Sequence, residues 1–153
     1  MTILVDTPTV QAKEEWLKFR AQPISGQGQD VAVVSGSAGY YQDQLIGDPD
    51  SDITKVYYEV RLWVGPAWRK LNDVSPMAYV AGFAHLDSDT ADMTGWELEN
   101  CGWEFPDPNP TKQIRLVIHV NQRGGNLASL TRIGYHLTAR GSLMPNQNFE
   151  ELT

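Results

Sequence analysis

The strongest constraint on this chain is a regular alternation of apolar and polar side chains along three of its segments. Successive side chains of a β-strand point to opposite faces, so a period of two predicts strands with one buried face and excludes a helix. The alternating segments are residues 53–64, 114–120 and 131–139. Their apolar positions are Val56, Tyr58, Val60, Leu62 and Val64, then Ile114, Leu116, Ile118 and Val120, then Ile133, Tyr135, Leu137 and Ala139.

Shorter apolar runs separated by Gly and Pro predict further strands. They are residues 31–34, 77–84, 96–98 and 103–105, and Gly82 is expected to mark a bend or bulge in the second of them. Many short strands with such turns are typical of an all-β protein, mainly an antiparallel β-sandwich or jelly roll. The 153 residues suit a single domain that spans residues 1–153.

The two ends of the chain are predicted to differ from the sheet. Thr7 can cap a helix, Pro8 suits a first helical turn and Pro23 ends the pattern, which predicts one short N-terminal helix over about residues 7–22. This helix is expected to lie as an arm over an edge of the domain. Residues from about 144 to 153 are polar and are interpreted as an extended tail.

Charge is segregated along the chain. Eight acidic residues and no Lys or Arg lie between Leu71 and Thr111, whereas Lys112 and four arginines precede the next acidic residue, Glu150. Residues 121–126 predict a turn that joins 114–120 and 131–139 as an antiparallel hairpin. If the apolar sides of this hairpin pair, its outward side chains share one face of the sheet. These side chains are Arg115, His119, Arg132, His136 and Arg140.

Three interpretations of this partly cationic face stay open. It is a solvated surface or pairs with the acidic segment of the same subunit, as most charged faces do. It contacts a neighbouring subunit and sets the register of a homo-oligomer. Alternatively, its arginines bind a ligand that carries carboxylates, phosphates or sugar hydroxyls.

Composition excludes several classes of protein. The formal charge of −7 disfavours a nucleic-acid partner, and the lone Cys101 cannot form an internal disulfide. No run of residues is apolar and long enough to span a membrane, and the amino terminus shows no signal peptide. We therefore expect synthesis in the cytoplasm and no membrane insertion.

No motif predicts catalysis or a firm metal site. The run from Ser35 to Gly39 lacks the first glycine of a nucleophile elbow and is interpreted as a flexible turn. Two groups of carboxylates at alternate positions suggest calcium-binding loops, although Ile53 occupies the position at which the first group would need a glycine. These two groups are Asp48, Asp50 and Asp52, and Asp87, Asp89 and Asp92. We expect a protein that is not an enzyme and has no cofactor, with calcium at one of these two groups as the alternative.

A further pattern lies in residues 76–141, where Gly82, Phe83 and Asp87 are followed by the aromatic Tyr135 of the last strand. In these residues the segment resembles the H-type lectin domain. The resemblance implies a small antiparallel β-sandwich that trimerises and binds N-acetylgalactosamine or galactose between subunits, with the turn at Asp87 contributing to sugar binding. The chain departs from the family where a Trp normally precedes the last strand, because Asn121, Gln122 and Arg123 stand there.

The sequence therefore predicts a non-enzymatic, lectin-like binding module that recognises a glycan or another polar ligand and forms a homo-oligomer. The alternative is a structural subunit of a viral or cellular particle, coat or appendage that assembles through its complementary charged surfaces. The predicted ligand-binding residues are Asp87, His119, Asn121, Gln122, Arg123, Arg132 and His136.

Overall fold

The computed structural model describes residues 2–6, 9–24, 27–39, 55–85, 95–123, 128–145 and 150–151. These residues form strands and connections without a helix, so the predicted all-β class is confirmed for this part of the chain. None of it forms a helix that could cross a membrane. The strands are β1 (Thr2–Asp6), β2 (Val10–Gln11), β3 (Lys13–Ile24), β4 (Gln27–Gly39), β5 (Lys55–Val64), β6 (Trp68–His85), β7 (Gly95–Glu104), β8 (Ile114–Arg123), β9 (Ala128–Leu143) and β10 (Glu150–Glu151).

The described strands form two mostly antiparallel sheets. In the first sheet the order is β1, β5, β8 and β7, and β2 pairs with a later part of β5. In the second sheet the order is β10, β3, β4, β9 and β6. The three short strands β1, β2 and β10 run parallel to their neighbours, and the longer strands pair in the antiparallel sense.

The predicted alternation is confirmed in β5, β8 and β9. Side chains that it assigned to the interior are fully buried in all three strands, and Tyr57, Arg115 and Arg132 on the opposite faces are partly or fully exposed. One hydrophobic cluster contains residues of both sheets. Burial of each large aliphatic side chain contributes about 1.5–3 kcal/mol, so this cluster is the main source of stability. Its fully buried aliphatic members in these strands include Val60, Leu62, Leu116, Ile118, Ile133 and Leu137.

The predicted hairpin between residues 114–120 and 131–139 is wrong. β8 pairs with β5 and β7 in the first sheet, whereas β9 pairs with β4 and β6 in the second. Alternation determines which side chains of a strand are buried, but it does not determine the neighbouring strand. The apolar side chains of β8 and β9 are buried in the shared core although the two strands lie in different sheets. The same side chains would also be buried if the two strands were paired in a hairpin. The outward residues of β8 and β9 consequently lie in different sheets.

The predicted helix over residues 7–22 is wrong for the residues that the structure describes. Residues 13–21 of β3 pair continuously with β4, and Val10 and Gln11 pair with β5. The helix signals were local, and the strand pairing that overrides them is a tertiary effect. The register shifts between Ala21 and Ile24, where Pro23 cannot donate a backbone hydrogen bond. Thr7 and Pro8 lie outside the described residues.

Other local expectations have mixed outcomes. The bulge at Gly82 is confirmed, since the pairing of β6 with β9 shifts on both sides of this residue. The expected strand over 31–34 lies within β4, and the two short strands expected at 96–98 and 103–105 belong largely to the continuous β7. The run from Ser35 to Gly39, interpreted as a flexible turn, also lies in β4. At the C-terminal end, β10 pairs with Leu17 and Lys18 of β3.

Candidate functional site

The structure separates the predicted ligand-binding residues. His119 and Asn121 lie on the outer face of the first sheet, the face opposite the core, while Gln122 points into the interior. Arg132 and His136 are exposed on the outer face of the second sheet. The prediction that the outward residues of β8 and β9 share one face is therefore wrong, because these strands belong to different sheets. Arg123 is the last residue of β8, and Asp87 lies outside the described residues.

On the first sheet, the polar side chains are paired with one another. His119 Nε2 lies 3.4 Å from Glu59 Oε1, and the imidazole contacts the Tyr57 ring at a centroid distance of 5.4 Å. Arg115 Nε donates to Glu104 Oε1 over 2.7 Å, and its guanidinium lies 5.3 Å from the centroid of Trp63. Arg115 therefore pairs with a member of the acidic segment of its own subunit, which is one of the three interpretations left open above.

Asn121 is almost completely buried at the edge of this network. Its Nδ2 donates to Glu99 Oε2 over 3.1 Å, while its Oδ1 is buried and accepts no hydrogen bond. Burial, followed by the nearby carboxylates of Glu99 and Glu59, raises the pKa of Tyr57. The surroundings of Asn121 are therefore electronegative and closed to solvent, which does not suit a site that sugar hydroxyls enter freely.

Gln122 has a structural role in the interior. The Tyr58 hydroxyl donates to Gln122 Oε1 over 2.8 Å, and burial raises the pKa of Tyr58 to about 12. The Trp96 ring packs against Tyr58 at 6.1 Å and against Phe83 of the second sheet at 5.5 Å. A buried amide that is hydrogen-bonded in this way stabilises the core and is not available to a ligand.

The outer face of the second sheet contains an open hollow of about 530 Å³. One row of strand neighbours crosses it, from Lys13 through Ser37 and Gly134 to Tyr79. Small side chains at the centre of this row leave a depression between longer side chains at its ends. The residues that line the hollow are Lys13, Glu14, Ser35, Gly36, Ser37 and Tyr79.

Tyr79 lines the hollow, and Arg132 lies beside it, bonded to Ser37. A Cβ atom at position 134 would overlap the Tyr79 ring, so the absence of a side chain at Gly134 lets the ring lie over the backbone. Tyr79 nevertheless remains 51% exposed, which leaves part of its ring free for a ligand. Arg132 Nη1 donates to Ser37 Oγ over 2.8 Å, and Nη2 lies 3.5 Å from the position that a Cβ of Gly39 would take. The guanidinium is thereby held against the small residues of β4.

Glu14 connects the lining of the hollow to the interior. Both of its carboxylate oxygens accept the backbone N–H of Gly65, at 2.7 and 2.6 Å, in the turn between β5 and β6. Burial raises the pKa of Glu14 to about 7, although the backbone hydrogen bond from Gly65 and the nearby Tyr135 hydroxyl oppose this effect. Burial and the Glu14 carboxylate also raise the pKa of Tyr135. Glu14 is thus a proton-binding group that joins β3 of the second sheet to the end of a first-sheet strand.

The described residues contain no group of three or more His, Cys, Asp or Glu side chains arranged to hold a metal ion. The two candidate calcium groups, Asp48 with Asp50 and Asp52, and Asp87 with Asp89 and Asp92, lie outside the described residues. Burial raises the pKa of the Cys101 thiol to about 11, so this thiol is protonated at neutral pH.

Comparison with protein-family models, with curated proteins and with solved structures finds no match for this chain. The resemblance to H-type lectins therefore stays a prediction from sequence, and the interpretation of the hollow depends on its own geometry.

Sequence reasoning missed Lys13, Ser37 and Tyr79 as candidate site residues. Lys13 was placed in a helix and Ser37 in a turn, so neither was expected on a sheet face. Tyr79 lies in a run that was recognised as a strand, and alternation with the buried Ala78 could have identified its outward direction. The small residues at alternate positions of β4, Ser35, Ser37 and Gly39, were the signal for a depression in the sheet.

Proposed function

We propose that this protein is a non-enzymatic binding module of the β-sandwich type that holds a glycan in the hollow of its second sheet. The observation that carries the proposal is a depression lined by Tyr79 and Ser37, with the Arg132 guanidinium held beside it by its hydrogen bond to Ser37. The sequence predicted that loops bind the glycan, whereas this proposal places glycan binding on the outer face of the second sheet. Arg132 and His136 are the predicted site residues that the proposal retains.

The chemistry of the hollow suits a saccharide. A partly exposed tyrosine ring provides an apolar surface with a polar hydroxyl, which matches the mixed character of a sugar ring. Serine hydroxyls both donate and accept hydrogen bonds, and a guanidinium donates several in a fixed plane. Among the described residues, Ser37 is the hydrogen-bond partner of the Arg132 guanidinium, so its Nε and Nη2 can donate to a ligand.

Replacing Arg132 with glutamine is expected to weaken glycan binding by about tenfold, the loss expected when a charge-assisted hydrogen bond of about 1.4 kcal/mol is removed. Arg140→Gln is the matched control. Arg140 is exposed on the same face of the same strand, but it lies towards the other end of the strand, 3.9 Å from Asp73. The measurement is a glycan array with the full chain, followed by titration calorimetry with the strongest glycan.

The proposal would be rejected by an array without signal at high protein concentration, in calcium and in EDTA. It would also be rejected if the two arginine variants lost affinity equally, because a general effect of charge would then explain the binding.

The alternative of a structural subunit is supported by a different observation. Met77 and Tyr79 are 59% and 51% exposed on β6, the edge strand of the second sheet, and large exposed apolar side chains commonly mark interfaces between copies. Pro76 and several register shifts interrupt β6, which disfavours direct strand-to-strand pairing and leaves side-chain packing as the mode of contact. Light scattering that shows a monomer at both low and high salt would reject assembly through this strand.

A further inference from the structure

We propose that the hollow selects an acidic saccharide, one that carries a carboxylate, over its neutral counterpart. This inference rests on the proposed function and adds the chemical class of the ligand. It depends on Lys13, Arg132 and His136, which are all exposed on the outer face of the second sheet at or beside the hollow.

The register places Lys13 of β3 level with Ser37 of β4, and it places Arg132 and His136 of β9 two residues to either side of that level. Lys13 lies opposite Ser37, which receives the Arg132 hydrogen bond, and His136 lies opposite Ser35. Ser35 and Ser37 both line the hollow. Two permanent cations and one imidazole therefore surround the same pair of serines.

Two carboxylate residues of the described strands lie at or beside the hollow. Glu14 lines the hollow, but its carboxylate accepts the Gly65 N–H and is the group whose pKa is raised to about 7. Glu15 occupies the strand position opposite Ser35. Apart from Glu14, whose carboxylate is bound to Gly65, the strand positions around Ser35 and Ser37 therefore hold one carboxylate residue, Glu15, and two permanent cations, Lys13 and Arg132.

The partner of the Arg132 guanidinium differs from the partners of the arginines on the first sheet. Arg115 and Arg61 already contact carboxylates of their own sheet at 2.7 and 3.1 Å, whereas Arg132 bonds a neutral hydroxyl. That bond fixes the position of the guanidinium without neutralising it. Within the described part of the chain, the other donors of this guanidinium make no hydrogen bond, and donors in one plane match the two oxygens of a carboxylate. A fixed position lowers the entropic cost of binding.

The test is an array that pairs sialylated, uronate-containing and sulfated glycans with their neutral counterparts. We expect the wild-type protein to bind carboxylate-bearing members roughly tenfold more tightly than the neutral ones, and to lose this preference when NaCl rises from about 50 to about 500 mM. Lys13→Gln and Arg132→Gln are each expected to reduce the ratio of acidic to neutral affinity to within about threefold, while Arg140→Gln leaves it unchanged.

The outcomes separate this inference from the proposed function. Equal binding of acidic and neutral members, still dependent on Tyr79 and Arg132, would overturn the acid selectivity and leave the glycan module in place. A preference for sulfated over carboxylated members would overturn the choice of carboxylate. Absence of binding to every glycan would overturn both proposals.

Discussion

Gly36→Ala is expected to lower the free energy of unfolding by about 3 kcal/mol, since a new Cβ there would overlap atoms that cannot move away. It would collide with the carbonyl oxygen of Lys13 and lie 2.9 Å from the Tyr135 hydroxyl oxygen and 3.0 Å from the Glu14 Cα. Two of these three contacts are with the backbone of β3. The strand would have to separate from β4, which would disturb both the hollow and the Glu14 carboxylate.

Gly102→Ala is the matched control for this prediction. A Cβ at position 102 of β7 would meet its nearest atoms at 3.9 Å, an ordinary van der Waals distance, so we expect a change within about 0.5 kcal/mol. Urea unfolding of both variants provides the measurement. A Gly36→Ala protein within about 1 kcal/mol of the wild type would show that β3 does not lie against β4 as described.

Glu14→Gln is expected to stabilise the protein by about 2 kcal/mol at about pH 8 and to have little effect near pH 4.5. Burial raises the pKa of Glu14 from its ordinary value of 4.5 to about 7. The folded state therefore binds the proton of this carboxyl more tightly than the unfolded chain does. The resulting stability is complete below pH 4.5 and is lost as the pH rises from 4.5 to about 7.

A glutamine at position 14 is neutral at every pH and keeps an oxygen that can accept the Gly65 N–H. The difference in unfolding free energy between the variant and the wild type should therefore grow between about pH 4.5 and pH 7 and then remain constant. The control is Glu104→Gln, which removes a partly exposed carboxylate that pairs with Arg115 and should cost at most about 1 kcal/mol at pH 8. A Glu14→Gln protein less stable than the wild type at pH 8 would contradict this account of Glu14.

Burial could be predicted from sequence because the signal for it is local. Every second residue of β5 and β8 is apolar, and the pleat of a strand converts this pattern directly into one buried face. The bulge at Gly82 was predictable for the same reason, since a glycine within an apolar run marks an irregular position.

Strand partners could not be predicted from the same patterns. The apolar faces of β8 and β9 are compatible both with a paired hairpin and with two sheets that share a core. The arrangement is decided by β4 and β6, which pair with the two edges of β9 and leave no edge for β8. The helix signals Thr7 and Pro8 precede β3 in the sequence, and the pairing of β3 with β4 is visible only in three dimensions.

The hollow could not be predicted because it depends on register. Lys13, Ser37, Gly134 and Tyr79 belong to four different strands and become neighbours only when all three pairings are fixed. Arg132 and His136 were predicted as site residues from their outward positions alone. Their actual neighbours are the serines of β4 and not the histidine and arginine of β8.

Cross-strand nuclear Overhauser effects between backbone protons show whether β8 and β9 belong to different sheets, and this separation determines which residues surround the hollow. We expect contacts from His136 to Ser35 and Met77, and from His119 to Glu59 and Asn100. A ladder of contacts that joins residues 114–120 directly to residues 131–139 would contradict this separation. The two histidines would then lie on one sheet, and the hollow beside Arg132 would not exist.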